Sequence, residues 1–312
     1  MTTNRFLTIA ASAMLLSFSL ISCNNNDILD DSVKTELRLS SGVEAQSRTA
    51  FPNADTQIVA GQNVIVFVDE VGDIPLYERN VLTADGNGGL SGGTRMYFPE
   101  SGRNVNIYAI HTNATWTGDA FPATALTHRV STDQRTLAEY AASDLLYART
   151  TNIARTSTAV GLTFYHLLSK VQIAVVPGRG LTASDITGIT IGGTHTEAVF
   201  TLDRVTYPSA IPITASGPVS SIIAGADVSE NFTTPRYNDA IIVPQTVAAN
   251  TPFITVHLRT GYLIYRLPAA ATFGSGRKYI FHITANLAGL TLTTSIRDWT
   301  PINPVSGNAV LE

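Results

Sequence analysis

One cysteine, Cys23, stands in 312 residues. That excludes an internal disulfide and a zinc site built from several thiolates. Charge is scarce too: Asp, Glu, Lys and Arg make up 14% of the chain, against roughly 25% in an ordinary soluble domain. The 20 basic and 24 acidic side chains leave a formal charge of −4. No cationic excess is present to neutralise phosphates, so no nucleic-acid partner is expected. Past the N-terminus, no run reaches the roughly 18 apolar residues of a spanning helix. What remains is a chain of 44% hydrophobic residues, rich in threonine, glycine and alanine. Threonine is β-branched and favours strands.

Catalytic signatures are missing as well. The six histidines, His111, His128, His166, His195, His257 and His282, form no i,i+4 pair and no HExxH. His166 and His282 lie in apolar strand-like runs, where a hydrogen-bonded histidine is the commoner case than a metal ligand. Residues 86–93 are glycine-rich without a GxGxxG pattern, and no Gly-Lys-Ser/Thr occurs. Gly274-Ser275-Gly276 lacks the spacing of a nucleophile elbow. Asp69 and Glu70 are adjacent, so on a strand they face opposite ways. The expectation is a protein with no enzyme activity, no cofactor and no metal.

The N-terminus carries processing signals. Arg5 is the only charged side chain before an uncharged run over residues 6–22. The run closes with Leu20-Ile21-Ser22-Cys23. An apolar residue three before the cysteine and a small one just before it make a lipobox. Residues 1–22 therefore read as a lipoprotein signal peptide and Cys23 as the lipid attachment point. Each buried methylene contributes about 0.8 kcal/mol, so two or three acyl chains anchor stably. An ordinary signal peptide followed by a free cysteine is the alternative. The polar, acidic stretch Asn24-Asn25-Asn26-Asp27-Ile28-Leu29-Asp30-Asp31 resembles the surface-export tether of Bacteroidetes lipoproteins, and a solvated spacer has the same composition.

Residues 33–40 then alternate, with Val33, Thr35, Leu37 and Leu39 on one face, the pattern of a half-buried strand. Residues 41–47 are small and polar, and Arg48 precedes Thr49-Ala50-Phe51-Pro52. An exposed arginine in a flexible loop suits a trypsin-like protease cutting between Arg48 and Thr49; a simple solvated charge fits too.

From residue 49 onward the pattern is short strands and turns. Asn63-Val64-Ile65-Val66-Phe67-Val68 is a continuous apolar run, and Asp85-Gly86-Asn87-Gly88-Gly89 is a turn signal. Residues 162–176 are long enough for one extended strand or two joined by a bend. Pro177-Gly178-Arg179-Gly180 marks an expected boundary between domains at 49–177 and 178–312. Residues 186–191 and 197–205 read as two strands separated by Gly192-Gly193. Arg259-Thr260-Gly261 reads as a hairpin turn. The one helix candidate covers residues 137–147. Regular strands with turns, repeated twice, predict two β-sandwiches in series. Trp116, in the polar stretch from Thr112 to Gly118, is either a glycan contact that stacks on a sugar ring or a lid on the end of a sandwich.

Several stretches together resemble the fimbrillin family of Bacteroidales, the subunits of type V pili. They are the lipobox at Cys23, the Arg48-Thr49-Ala50-Phe51 junction, Met96-Tyr97-Phe98-Pro99 leading into Val105-Asn106-Ile107-Tyr108-Ala109, Ser143-Asp144-Leu145-Leu146-Tyr147-Ala148, Phe164-Tyr165-His166-Leu167-Leu168-Ser169-Lys170-Val171, and residues 279–286 running into Thr294-Ser295-Ile296-Arg297-Asp298-Trp299. The resemblance implies an all-β fold of two tandem transthyretin-like β-sandwich domains. It implies a lipoprotein precursor at the cell outer membrane, cleaved after arginine so that the first strand is removed. Residues 23–48 would then be a lipidated pro-segment. It also implies a fimbrium in which other fimbrial subunits add head to tail, each filling the vacated groove with a donor strand, and a host or bacterial surface receptor. Removing the first strand would expose unpaired backbone and an apolar groove, which strand addition satisfies. The family points to the C-terminal tail, residues 301–312, as donor. Here that tail holds Val305, Ala309, Val310 and Leu311 but also Pro301, Pro304 and Gly307. Stalk, tip and anchor roles all remain open on these residues. The rival reading is a permanently anchored surface lipoprotein that binds glycans through Trp116.

Overall fold

The structure, a computed structural model, describes residues 34–43, 52–226 and 236–298. Cys23, Val33, Arg48, Thr49 and the tail at 301–312 lie outside these residues.

The chain is all-β. In order, the first half supplies β1 (Leu39–Val43), β2 (Asn63–Glu70), β3 (Ile74–Ala84), β4 (Leu90–Ser91), β5 (Val105–His111), β6 (Leu126–Arg129), a short helix α1 (Leu137–Ala142), β7 (Leu146–Ile153), β8 (Val160–His166) and β9 (Ser169–Pro177). The second half supplies β10 (Ile186–Phe200), β11 (Thr214–Ile223), β12 (Gly225–Ala226), β13 (Arg236–Ile242), β14 (Gln245–Val247), β15 (Pro252–Leu258), β16 (Gly261–Arg266), β17 (Ala271–Phe273), β18 (Arg277–Asn286) and β19 (Gly289–Asp298).

Seven strands form the first sheet, in the order β1-β8-β7-β5-β2-β3-β4. Its residues alternate between two cores. Val64, Val66, Val68, Ile107, Ala109, Leu146 and Ala148 enter one core, whereas Phe67, Tyr108, Ile110 and Tyr147 enter the other. A sheet buried on both faces needs apolar side chains at every position. That is why the segment from Val64 to Val68 is a continuous apolar run and not an alternating one.

The second core is shared with two five-stranded sheets. One has the order β11-β10-β15-β16 with β6 also on β10; the other runs β12-β13-β9-β18-β19. Phe253 of β15 lies 5.7 Å from Phe281 of β18, and it stacks at 4.9 Å on Phe273 of β17, which forms a separate two-stranded sheet with β14.

The two-strand alternative for residues 162–176 holds, whereas Gly192-Gly193 and the end of the helix differ from the sequence expectation. Residues 162–176 are two strands, and the second, β9, pairs antiparallel with β13 and parallel with β18. The Pro177-Gly178 signal therefore ends β9, whose two neighbours both come from the second half, and β6 likewise pairs with β10. Gly192-Gly193 is no turn but a bulge inside β10, between Ile191 and Thr194. Gly193 has φ +72°, and a Cβ there would sit 2.3 Å from Thr251 Cγ2. Helix α1 starts at an N-cap, where Thr136 Oγ1 accepts the Glu139 N–H at 3.2 Å. It ends at Ala142, well short of residue 147, because Leu146 opens β7 and packs in the first core.

Candidate functional site

The first strand is the feature around which a site can be built. Residues 37–43 alternate strictly, with Leu37, Leu39, Ser41 and Val43 buried and Arg38 exposed. The inward positions expected at Leu37 and Leu39 are 3% and 7% exposed. Thr35 is half-buried. The strand also continues to Val43, past the point where the sequence turns small and polar.

On one flank, β1 pairs parallel with β8, from Leu39 opposite Val160 to Val43 opposite Phe164. The Val160 N–H extends this ladder by donating to Arg38 O at 2.8 Å. On the other flank, Ser41 N–H donates to Gly88 O at 2.7 Å and Leu37 N–H to Met96 O at 2.9 Å. Phe98 N–H returns a bond to Thr35 O at 2.9 Å, and Val43 N–H reaches Thr56 O at 3.2 Å. Residues 35–43 thus fill the space between β8, the next strand of the sheet, and the 88–98 segment, which carries β4 at the sheet's other edge.

The floor of the seat is apolar. Leu82, Met96, Phe98, Val160, Leu162 and Phe164 belong to the same core as Leu37, Leu39 and Val43. Burying each of those three strand side chains contributes about 2 kcal/mol. The rim is charged: Lys34 lies 3.2 Å from Glu100, and Arg95 lies 3.4 Å from Glu36. Both pairs are exposed, so they add little stability. Gly88 (φ +92°) lets the 85–89 turn approach, since a Cβ there would lie 2.9 Å from Ser41 O. Asp85 Oδ1 shapes that turn by accepting the N–H groups of Asn87 and Gly89 at 2.7 and 2.8 Å.

The sequence pattern does not single out Gly88, Met96 and Phe98 as partners of the first strand, nor Ser41 and Val43 as its continuation. The alternation of Met96 and Phe98 around Tyr97 is the signal that marks one wall of its seat.

Trp116 is half-buried. Its ring lies beside Phe67, with centroids 6.4 Å apart, and Arg79 sits over it at 4.7 Å. Arg79 is held there by bonds to Trp116 O and Gly118 O. A sugar would have to displace that guanidinium to stack on the exposed side.

Three histidines bind the end of α1 and the turn after it. His111 Nε2 lies 3.0 Å from Ala141 O, His128 Nε2 lies 3.0 Å from Ser143 O, and His166 Nδ1 lies 2.8 Å from Asp144 Oδ2. Burial pulls the pKa of His128 down to about 4, against smaller opposing effects from the Ser143 carbonyl and Asp144. Among the described residues, no group of three or more His, Cys, Asp or Glu side chains is placed to hold a metal ion.

The fold is thus all-β, with a first strand bonded on both flanks and seated on an apolar floor. The chain belongs to the fimbrillin-like family, whose model matches residues 49–299. It is 25% identical over 259 residues to the candidate fimbrium subunit Fim1C of Bacteroides uniformis, covering 75% of this chain and 80% of that protein. Two crystal structures of candidate cell adhesion proteins share the fold. One, from Bacteroides uniformis, aligns with a TM-score of 0.60 at 22% identity, covering 85% of this chain and 98% of its own. The other, from Bacteroides ovatus, aligns with a TM-score of 0.63 at 14% identity, covering 86% and 99%.

Proposed function

We propose that the chain is a structural and adhesive subunit of cell-surface fimbriae, made as a lipoprotein precursor and joined to its neighbours by strand replacement. Cys23 carries the lipid and holds the precursor at the outer membrane. Cleavage between Arg48 and Thr49 severs residues 34–43 from the body. A strand from another subunit, drawn from residues 301–312, then takes their place. In this reading the two halves of the chain are tandem sandwiches of transthyretin type, and the protein has no catalytic role.

The observation that carries this reading is the first strand itself. Residues 35–43 make backbone bonds on both flanks and bury Leu37, Leu39 and Val43. Their covalent link onward runs through residues 44–51, the segment that contains Arg48. A strand held this way can be exchanged for another with the same inward alternation, since the seat recognises backbone and apolar side chains. The family match begins at residue 49, immediately after that arginine.

The test is limited trypsin digestion of the purified full chain, with N-terminal sequencing and a binding assay using a labelled peptide of residues 301–312. The expected result is a new N-terminus at Thr49 and peptide binding by the cut chain alone. Resistance of Arg48 while other sites are cut would overturn maturation. Equal peptide binding before and after cutting would overturn strand replacement.

A further inference from the structure

Outside the seat of the first strand, the most unusual chemistry lies around Lys170. It sits on β9, between β13 and β18, and its side chain is fully buried. Its Nζ lies 2.7 Å from each carboxylate oxygen of Asp55 and 3.1 Å from Asp239 Oδ2. Both acids are also buried, at 1% and 0% exposure. Gln172 Nε2 donates to Asp239 Oδ1 at 2.9 Å and fixes that carboxylate. The Tyr140 ring closes one side, 5.7 Å from Nζ.

Three charges in a dry core are costly to bury, even when paired. An amine and a carboxyl held in contact, with a second carboxylate beside them and water excluded, are also the components of an amide-forming site. Proximity supplies the effective concentration that free groups lack, and exclusion of water removes the competing hydrolysis.

We propose that Lys170 and Asp55 condense into an isopeptide bond between Nζ and Cγ, with Asp239 carrying the proton. Asp239 takes one proton from the Lys170 ammonium. The freed lone pair attacks Asp55 Cγ, and a C–N bond forms. One C–O bond of Asp55 then breaks, and that oxygen leaves as water with two protons from Nζ, one of them delivered by Asp239. Ammonium and carboxylate become amide and water, Asp239 ends as it began, and no oxidant or reductant is involved. The acceptor is needed because the ground state is protonated: burial opposes the ammonium, but Asp239 and Asp55 together hold its pKa above the ordinary lysine value.

The bond would do mechanical work. Asp55 ends the 3-10 turn at Pro52–Asp55, a few residues after Arg48. Lys170 lies 115 residues further on, in a central strand of the second-half sheet. The amide would fasten the start of the cleaved chain to that sheet, so that tension applied at the N-terminal end reaches it through a covalent link.

Intact mass spectrometry of the denatured chain tests this, read against Lys170→Arg. The wild type is expected to be lighter than its sequence demands by one water, and the variant to show its full sequence mass. Trypsin should yield a branched species joining residues 49–79 to residues 156–179. A full sequence mass for the wild type overturns the proposal. So does a branch at Lys278, which is buried opposite Lys170 in register on β18. Asp239→Asn should also regain the mass of water; retention of the cross-link in that variant overturns the role given to Asp239.

Discussion

Asp69 on β2 is paired with Arg204, 135 residues away, in the loop after β10. Asp69 is 1% exposed, and the Arg204 guanidinium also lies over the Phe121 ring at 4.5 Å. This contact ties the first sheet to the second half of the chain at the shared core. Arg204→Ala would leave a buried carboxylate without its cation, at a cost of about 3 kcal/mol. Urea unfolding followed by tryptophan fluorescence should show that loss. A change below about 0.5 kcal/mol, the range of an ordinary surface substitution, would show that the pair is incidental.

Leu39→Ala should lower the stability of the uncut chain by about 2–4 kcal/mol, because it empties a closed apolar seat. Arg38→Ala, one residue away and pointing outward, should change little. Equal effects at the two positions would contradict the inward alternation of the strand.

Gly88→Ala combines a positive φ with a close approach to Ser41 O. It should cost about 1 kcal/mol or more. The loss should appear first as faster amide hydrogen exchange at Ser41, whose N–H is bonded to Gly88 O. Unchanged exchange there would mean that the turn does not hold the strand.

Acid should destabilise the fold through His128. Its folded pKa of about 4 lies below the ordinary value of about 6.5. The unfolded chain therefore binds a proton that the folded chain refuses, and stability falls as pH drops from about 6.5 towards 4. The linkage is worth about 2–3 kcal/mol at the lower end. Thermal melts of wild type and His128→Gln across this window should show a shallower slope in the variant. Parallel slopes would remove His128 as the cause.

The local features were legible and the partners were not. The alternation that buries Leu37 and Leu39 is visible in the sequence, as are the turn at Asp85 and the hairpin after Leu258. Nothing in residues 33–40 says that the strand runs parallel to β8, because the pattern records which face is buried and not what covers it. The apolar run at 169–176 shows burial on both faces, yet not that its neighbours come from residues 236–286. Gly192-Gly193 carries the same dipeptide signal whether it turns the chain or bulges a strand. Lys170 was hidden most completely. A lysine in an apolar strand gives no local hint that Asp55 and Asp239 will meet it.

The direction of the seat has a consequence for any assembly built on it. Residues 39–43 run with β8 and against the 88–98 segment, and the inward residues fall in one phase. A replacement strand that reuses these bonds must enter in a single orientation. Every joint in a fibre made this way would point the same way, giving it two unlike ends: one with an open seat and one with an unused strand. Such a fibre lengthens differently at its two ends, and a subunit lacking either part would cap it.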